Sequence, residues 1–211
     1  MKRVNIYSAC DNAIKAMNRE NLEAFTRLKG MKFDELNVIR TVKDVYGKSS
    51  QRARKRYYEV AFEAYLLAMA MCGVEAGKAH RMAEKAITEA WVGAILSEPD
   101  YITKYRFTTE TERKAYRLAE ALEVAKDRSR EIDKALNLWS QQLGQYAINV
   151  TDYAVLDAYM DAGVEEVIWD SEHDEKVCAE CDSLDGMHFR TDEIPFKPHL
   201  KCRCTLIPVL K

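Results

Sequence analysis

The chain has 211 residues, six cysteines and a formal net charge of −2, with 47% hydrophobic and 31% charged side chains. That length supplies core for one sizeable domain plus a small one, and near-neutral charge argues against bulk attraction to nucleic acid. The longest apolar run, Ala64 to Val74, is bounded by Glu63 and Glu75 and is too short to span a bilayer, so no membrane anchor is expected.

The first residues, Met1-Lys-Arg-Val-Asn-Ile-Tyr-Ser, carry neither the apolar core nor the small-residue cleavage site of a secretory leader, which predicts a reducing cytosolic setting. Residues 5 to 163 contain one proline, Pro99, and are rich in Ala, Leu, Glu, Lys and Arg, the pattern of successive helices. Ser8 with Asp11 predicts the cap of a first helix reaching about Leu28, where Gly30 ends it. A short helix over Asp34 to Tyr46, stopped by Gly47, follows. From Ser50 a longer one carries Tyr57, Ala61, Ala64, Tyr65, Ala68 and Met71 or Cys72 on one face, until Gly73 breaks it.

The next predicted helix runs from about Glu75 to Leu96, with the small residues Ala79, Ala83, Ala86 and Ala90 suited to close packing. A connector rich in aromatics, Ser97 to Phe107, leads to a capping box of Thr109 and Glu112 and a charged helix to about Arg130. Another carries Ile132, Leu136, Leu138 and Trp139 towards Ile148; Thr151 starts the last, which Gly163 terminates. Val164 to Asp170 then reads as a strand, with Thr205 to Leu210 as its returning partner and Pro208 placing that strand at an edge. The expected fold is mainly α: a multi-helix domain over 1–163, followed by a small α+β zinc-knuckle module over 164–211. The module holds eleven acidic and six basic side chains, net −5, which makes it a poor phosphate reader.

Within that module Cys178-Ala-Glu-Cys181 is followed, after seventeen residues, by His199-Leu-Lys-Cys202-Arg-Cys204. Two tight pairs of soft ligands can face one tetrahedral ion, and four protein ligands leave no position for an activated water, so the site reads as structural zinc without catalysis. Five groups compete for four places. His199 suits the knuckle, and Cys204 can replace it because alternate strand residues share a face. A disulfide framework and a redox dithiol at Cys178 and Cys181 are the other readings; the first conflicts with a reducing compartment and the second lacks a thioredoxin-like βαβ context. About fifty residues hold too little core to fold alone, so the metal is expected to supply folding energy.

Tyr153 to Gly163 leading into Val167-Ile168-Trp169, then Val177-Cys178-x-x-Cys181-x-x-Leu184-Asp185-Gly186-x-x-Phe189, then Pro198-His199-x-x-Cys202-Arg203-Cys204, resembles the phage Mu F-like head morphogenesis proteins, minor capsid components of tailed bacteriophages and prophages. The likeness extends more weakly to Asp100 to Phe107 and to Leu138 to Tyr146. Leu200-Lys201 departs from it, since a smaller or more turn-prone pair is expected there. The resemblance implies a few-copy virion protein of the capsid interior, assembled in the host bacterial cytoplasm. Its implied partners are the portal and other head proteins, and its implied role is head morphogenesis or genome delivery.

No enzymatic activity and no small-molecule substrate are expected. A zinc-knuckled nuclease would need a general-base histidine and a second His and Asn metal site, whereas His80, His173 and His188 read as surface or loop residues. A cytosolic zinc-dependent adaptor or nucleic-acid-binding module is the alternative. The one dense basic run, Arg52, Arg54, Lys55 and Arg56, falls near a predicted helix start and so opposes the macrodipole. It reads either as a solvated face balanced by glutamates or as contact with packaged DNA or an acidic partner rim, with Arg113, Lys114 and Arg117 as its possible extension. Tyr101, Tyr105 and Phe107 read as the closure of the bundle's end or as a docking patch.

Overall fold

A computed structural model describes residues 5–32, 37–98, 105–173, 175–195, 197–199, 201–202 and 204–210. Among them are seven helices and a three-stranded antiparallel sheet. The first helix, α1 (Ser8–Lys29), buries Cys10, Ala13, Met17, Asn21, Phe25 and Leu28 at three- and four-residue steps. Its cap position is Tyr7, without a side-chain cap. Ser8 already lies inside the first turn, and the Asp11 N–H bonds the Tyr7 carbonyl at 2.8 Å.

Two predicted breaks are absent. Helix α2 (Val38–Met71) runs through Gly47 for 34 residues, because Tyr46 and Ser49 on either side are buried and their packing outweighs the roughly 1 kcal/mol that glycine costs a helix. Helix α6 (Arg128–Asp161) likewise runs through Thr151, whose hydroxyl donates back to the Ala147 carbonyl at 2.8 Å instead of capping a new start. One break was unforeseen. The segment 75–96 divides into α3 (Ala76–Ala86) and α4 (Glu89–Ile95), since Ile87 turns extended to bury itself completely and Thr88 caps α4 by accepting the Trp91 N–H at 3.1 Å. Helix α5 (Phe107–Val124) begins two residues before the predicted capping box and ends short of Arg130, leaving Asp127 to cap α6.

The long helices α2 and α6 pack on each other, with α1 and α5 against both. Aromatic rings form the centre of this bundle: Phe25 meets Tyr46 at 5.5 Å, Tyr46 meets Trp139 at 5.1 Å, and Phe107 lies 5.9 Å from Trp139 and 4.9 Å from Tyr146. Several polar groups of that centre are paired. Trp139 Nε1 donates to Ser49 Oγ at 2.9 Å, Ser49 Oγ donates to Asn21 Oδ1, and Tyr57 donates to the Leu143 carbonyl at 2.9 Å.

Glycine ends α2 and α6 as the sequence predicts. Gly73 and Gly163 adopt φ of 72° and 76°. In each case the glycine N–H and the one after it bond back to the carbonyls three and five residues earlier, at 3.0 and 3.1 Å after α2 and 3.0 and 2.9 Å after α6. Beyond Gly163 the chain enters β1 (Glu166–Asp170), flanked by β2 (His188–Arg190) and by β3 (Thr205–Pro208), with α7 (Ala179–Leu184) between β1 and β2. Pro208 therefore does lie on an edge strand. Val164 and Val167 join the helical core, while Trp169 faces a satellite cluster with Cys181, Cys202 and Cys204.

Candidate metal centre

The cysteine segment is held by the turn around Leu184-Asp185-Gly186. Gly186, at φ 73°, donates its N–H to the Trp169 carbonyl at 2.8 Å, and Asp185 Oδ1 accepts the Ser171 N–H at 2.8 Å. These bonds tie the C-terminal end of α7 to the end of β1 and the residue after it. Cys178 occupies the cap position of α7, where its Sγ accepts the Cys181 N–H at 3.3 Å. That bond folds the Cys-x-x-Cys turn so that both sulfurs face one side.

The five ligand candidates fall into two groups that share Cys181. The ligand atoms of Cys178, Cys181 and His199 lie within 4.8 Å of one another, as do those of Cys181, Cys202 and Cys204. Cys181 belongs to both groups, with its Sγ 3.3 Å from His199 Nε2 and 3.6 Å from Cys202 Sγ. A disulfide needs about 2.05 Å, whereas the edge of a tetrahedron around an ion with 2.3 Å sulfur bonds is about 3.8 Å. The spacing fits a shared cation, and the soft sulfur and nitrogen donors fit a thiophilic one.

The four thiols differ in how readily they ionise. Burial, first of all, pushes Cys181 up to about 12. The hydrogen bond between the Cys202 and Cys204 thiols drives the pair apart, Cys202 down to about 5 and Cys204 upward. Cys178 is lowered chiefly by the Cys181 N–H. One thiol of the Cys202–Cys204 pair thus ionises at the other's expense, and a divalent ion would favour the thiolate form of both.

Helix α6 and the start of α1 support the knuckle through residues that the sequence reading did not single out. Lys201 takes a left-handed φ of 57° between His199 and Cys202, and its N–H donates to Gln145 Oε1 at 3.0 Å. The departure at Leu200-Lys201 thus has a structural consequence at Lys201. Lys197 Nζ pairs with Asp152 at 2.9 Å and also donates to the Tyr7 hydroxyl, which donates to Asp152 and lies 3.3 Å from the Cys204 carbonyl. Tyr159 donates to the Leu206 carbonyl at 2.9 Å. Tyr7 and Cys204 are far apart in sequence, so no local pattern announces the contact.

The remaining candidates fall elsewhere. Because α2 is continuous, Arg52, Arg54, Lys55 and Arg56 lie within its length and not near its start, and the macrodipole argument does not apply. Arg52 and Arg56 both pair with Glu20, at 3.3 Å for Arg52, while Arg54 donates to Thr108 Oγ1 at 2.9 Å; Lys55 is exposed. Arg113 and Lys114 turn to the fully buried Glu110, at 2.6 and 3.5 Å, and only Arg117 of that trio is exposed. Phe107 is core, Tyr105 is exposed with the Arg113 guanidinium 4.5 Å from its ring centre, and Tyr101 lies outside the described residues. His80 sits on the surface of α3 near Glu84, at 3.6 Å. His188 belongs to β2, a strand the sequence did not signal, with Nδ1 2.7 Å from Glu166 Oε1.

Among the described residues no helix is long and apolar enough to cross a membrane. No curated protein and no solved structure matches the chain. A family described as Phage Mu protein F like protein matches residues 28–207, from the end of α1 through the paired helices and the whole cysteine knuckle, and over that span the chain belongs to the phage Mu F-like family.

Proposed function

We propose that the protein is a minor head protein of a bacteriophage or prophage, present in few copies, that associates with the portal inside the capsid and acts in head morphogenesis or genome delivery. The family match over residues 28–207 carries this reading, because it spans the helical bundle and the knuckle together and supports head morphogenesis as the common role. The chain acts without catalysis of its own. Its cysteine centre holds structural zinc through Cys178, Cys181, His199 and Cys202, with Cys204 as the alternate ligand. Bound zinc would neutralise the thiolates and staple α7 and the His199 loop to the sheet. Contact with packaged DNA falls to Arg54, Lys55 and Arg117, since Arg52 and Arg56 are engaged by Glu20.

The portal reading is tested by isolating heads assembled with and without the matching portal ring. The chain is expected only in heads that contain the ring. Equal recovery from both would sink portal association while leaving a head role open. The zinc reading is tested by metal analysis of the purified protein: one zinc per chain, lost when four of the five ligand candidates are changed singly to serine. Metal-free protein with unchanged folding would overturn it.

A further inference from the structure

A second group of side chains of metal-ligating type shares no residue with the cysteine centre. Asp170 Oδ1 and Asp185 Oδ1 stand 3.5 and 3.6 Å from the same atom, His173 Nε2, and the three ligand atoms lie within 4.8 Å of one another. Both distances exceed the 3.2 Å limit of an ordinary N–H···O hydrogen bond. They match the roughly 3.0 to 3.6 Å edges of a coordination polyhedron whose metal–ligand bonds are about 2.1 Å.

The fold sets the two carboxylates before any ion arrives. Asp170 is the last residue of β1, on the strand face opposite Trp169, and its Oδ2 accepts the Thr205 hydroxyl at 3.2 Å across the β1–β3 register. Asp185 closes α7, its Oδ1 positioned by the Ser171 N–H at 2.8 Å. Residues fifteen apart in sequence thus present two anionic oxygens at one point, and His173 brings a nitrogen to it. From these positions we propose that Asp170, His173 and Asp185 form a second divalent-cation site, distinct from the thiolate centre.

Its donors differ in kind from those of the cysteines. Two carboxylates and one imidazole are a harder set, suited to Mn2+, Fe2+, Co2+ or Zn2+ and unsuited to a closed sulfur cage. Three protein ligands leave the remaining positions to water, and the His173 side chain is 59% exposed, so the ion is hydrated and exchangeable. Because Thr205 follows the ligand candidate Cys204 directly, the strand that completes the thiolate centre also fixes Asp170.

The test uses the full chain already loaded at its cysteine centre, titrated with Mn2+ and followed by electron paramagnetic resonance and calorimetry. One Mn2+ per chain is expected, with zinc content unchanged. His173→Gly, which suits the φ of 51° at that position, and Asp170→Asn should each weaken Mn2+ binding at least tenfold while leaving the zinc in place. Changing Cys178 to serine should reduce zinc retention, which separates the two centres. No Mn2+ uptake up to millimolar concentration, or uptake undiminished in His173→Gly, would overturn the proposal and leave His173 as an exposed side chain beside two carboxylates.

Discussion

Lys201 and Asp157 show how single residues are held in conformations or charge states that they would not choose alone. A left-handed backbone costs a lysine about 1–2 kcal/mol, and at Lys201 the Gln145 amide and the knuckle's closure hold it there. Lys201→Asn keeps the N–H and tolerates that φ, so the metal-loaded protein is expected to gain about 0.5–1 kcal/mol in a thermal melt. A loss would mean that the lysine side chain itself contributes. Asp157 accepts the Trp91 indole N–H at 2.7 Å. Burial, first of all, raises its pKa, opposed by Trp91 and reinforced by Asp161. A carboxyl raised on folding contributes most when neutral, and that contribution fades as pH climbs from the unfolded pKa near 4 through the folded one. Asp157→Asn retains an acceptor for Trp91. It is expected to match the parent chain at pH 3 and melt higher at pH 7, and equal melting at both would remove charge from the explanation. The five ligand candidates were legible at this scale because knuckle spacing is local, while Tyr7, Asp152, Gln145 and Lys197 serve the same centre from distant segments.

At the scale of elements, glycine was legible at Gly30, Gly73 and Gly163, which end helices, and misleading at Gly47, which does not. Gly73 and Gly163 terminate helices through left-handed backbone, whereas Gly47 is an ordinary helical residue. Opposite responses to the same substitution follow. A Cβ at Gly47 meets nothing within 4 Å, so Gly47→Ala should add about 0.5–1 kcal/mol. Gly163→Ala should cost about 1 kcal/mol, because its φ of 76° is strained for any side chain. Denaturant titration of the two variants decides the matter, and a shared sign would contradict the assignment of the two glycines. Thr151 misled for a related reason: its hydroxyl satisfies a helix carbonyl as readily as it caps a start. The break at Ile87 carries neither glycine nor proline, and only the burial of its side chain explains it. The long helices and the strands β1 and β3 were therefore readable from composition, while β2 and α7 were not, and the joining of two pairs of predicted helices depended on the aromatic centre they share.

On the scale of the whole molecule, the sheet is attached to the bundle by side chains from α6 and the start of α1. Val164 and Val167 lie in the helical core, and Tyr159, Lys197 and Lys201 add polar ties. Chelation of the loaded protein should therefore loosen one part selectively. Hydrogen exchange is expected to quicken over 170–205 while amides in the middle of α2 and α6 stay protected. Uniform quickening would instead make the metal a condition for the entire fold, as in domains that are unfolded without their ion. The acidic balance of residues 164–211 also favours cation uptake over phosphate contact at this end of the molecule.

The hydroxyl of Tyr7, lying against Asp152 and the Cys204 carbonyl, also orders events during synthesis. Its partner on α6 is made long before Cys204, so the beginning of α1 can settle on the bundle early but cannot complete its contacts until residue 204 has left the ribosome. Seating of Tyr7 and closure of the cysteine cluster then fall at the same late moment, and a nascent chain stalled short of residue 204 would display an unfinished seam for chaperones to recognise.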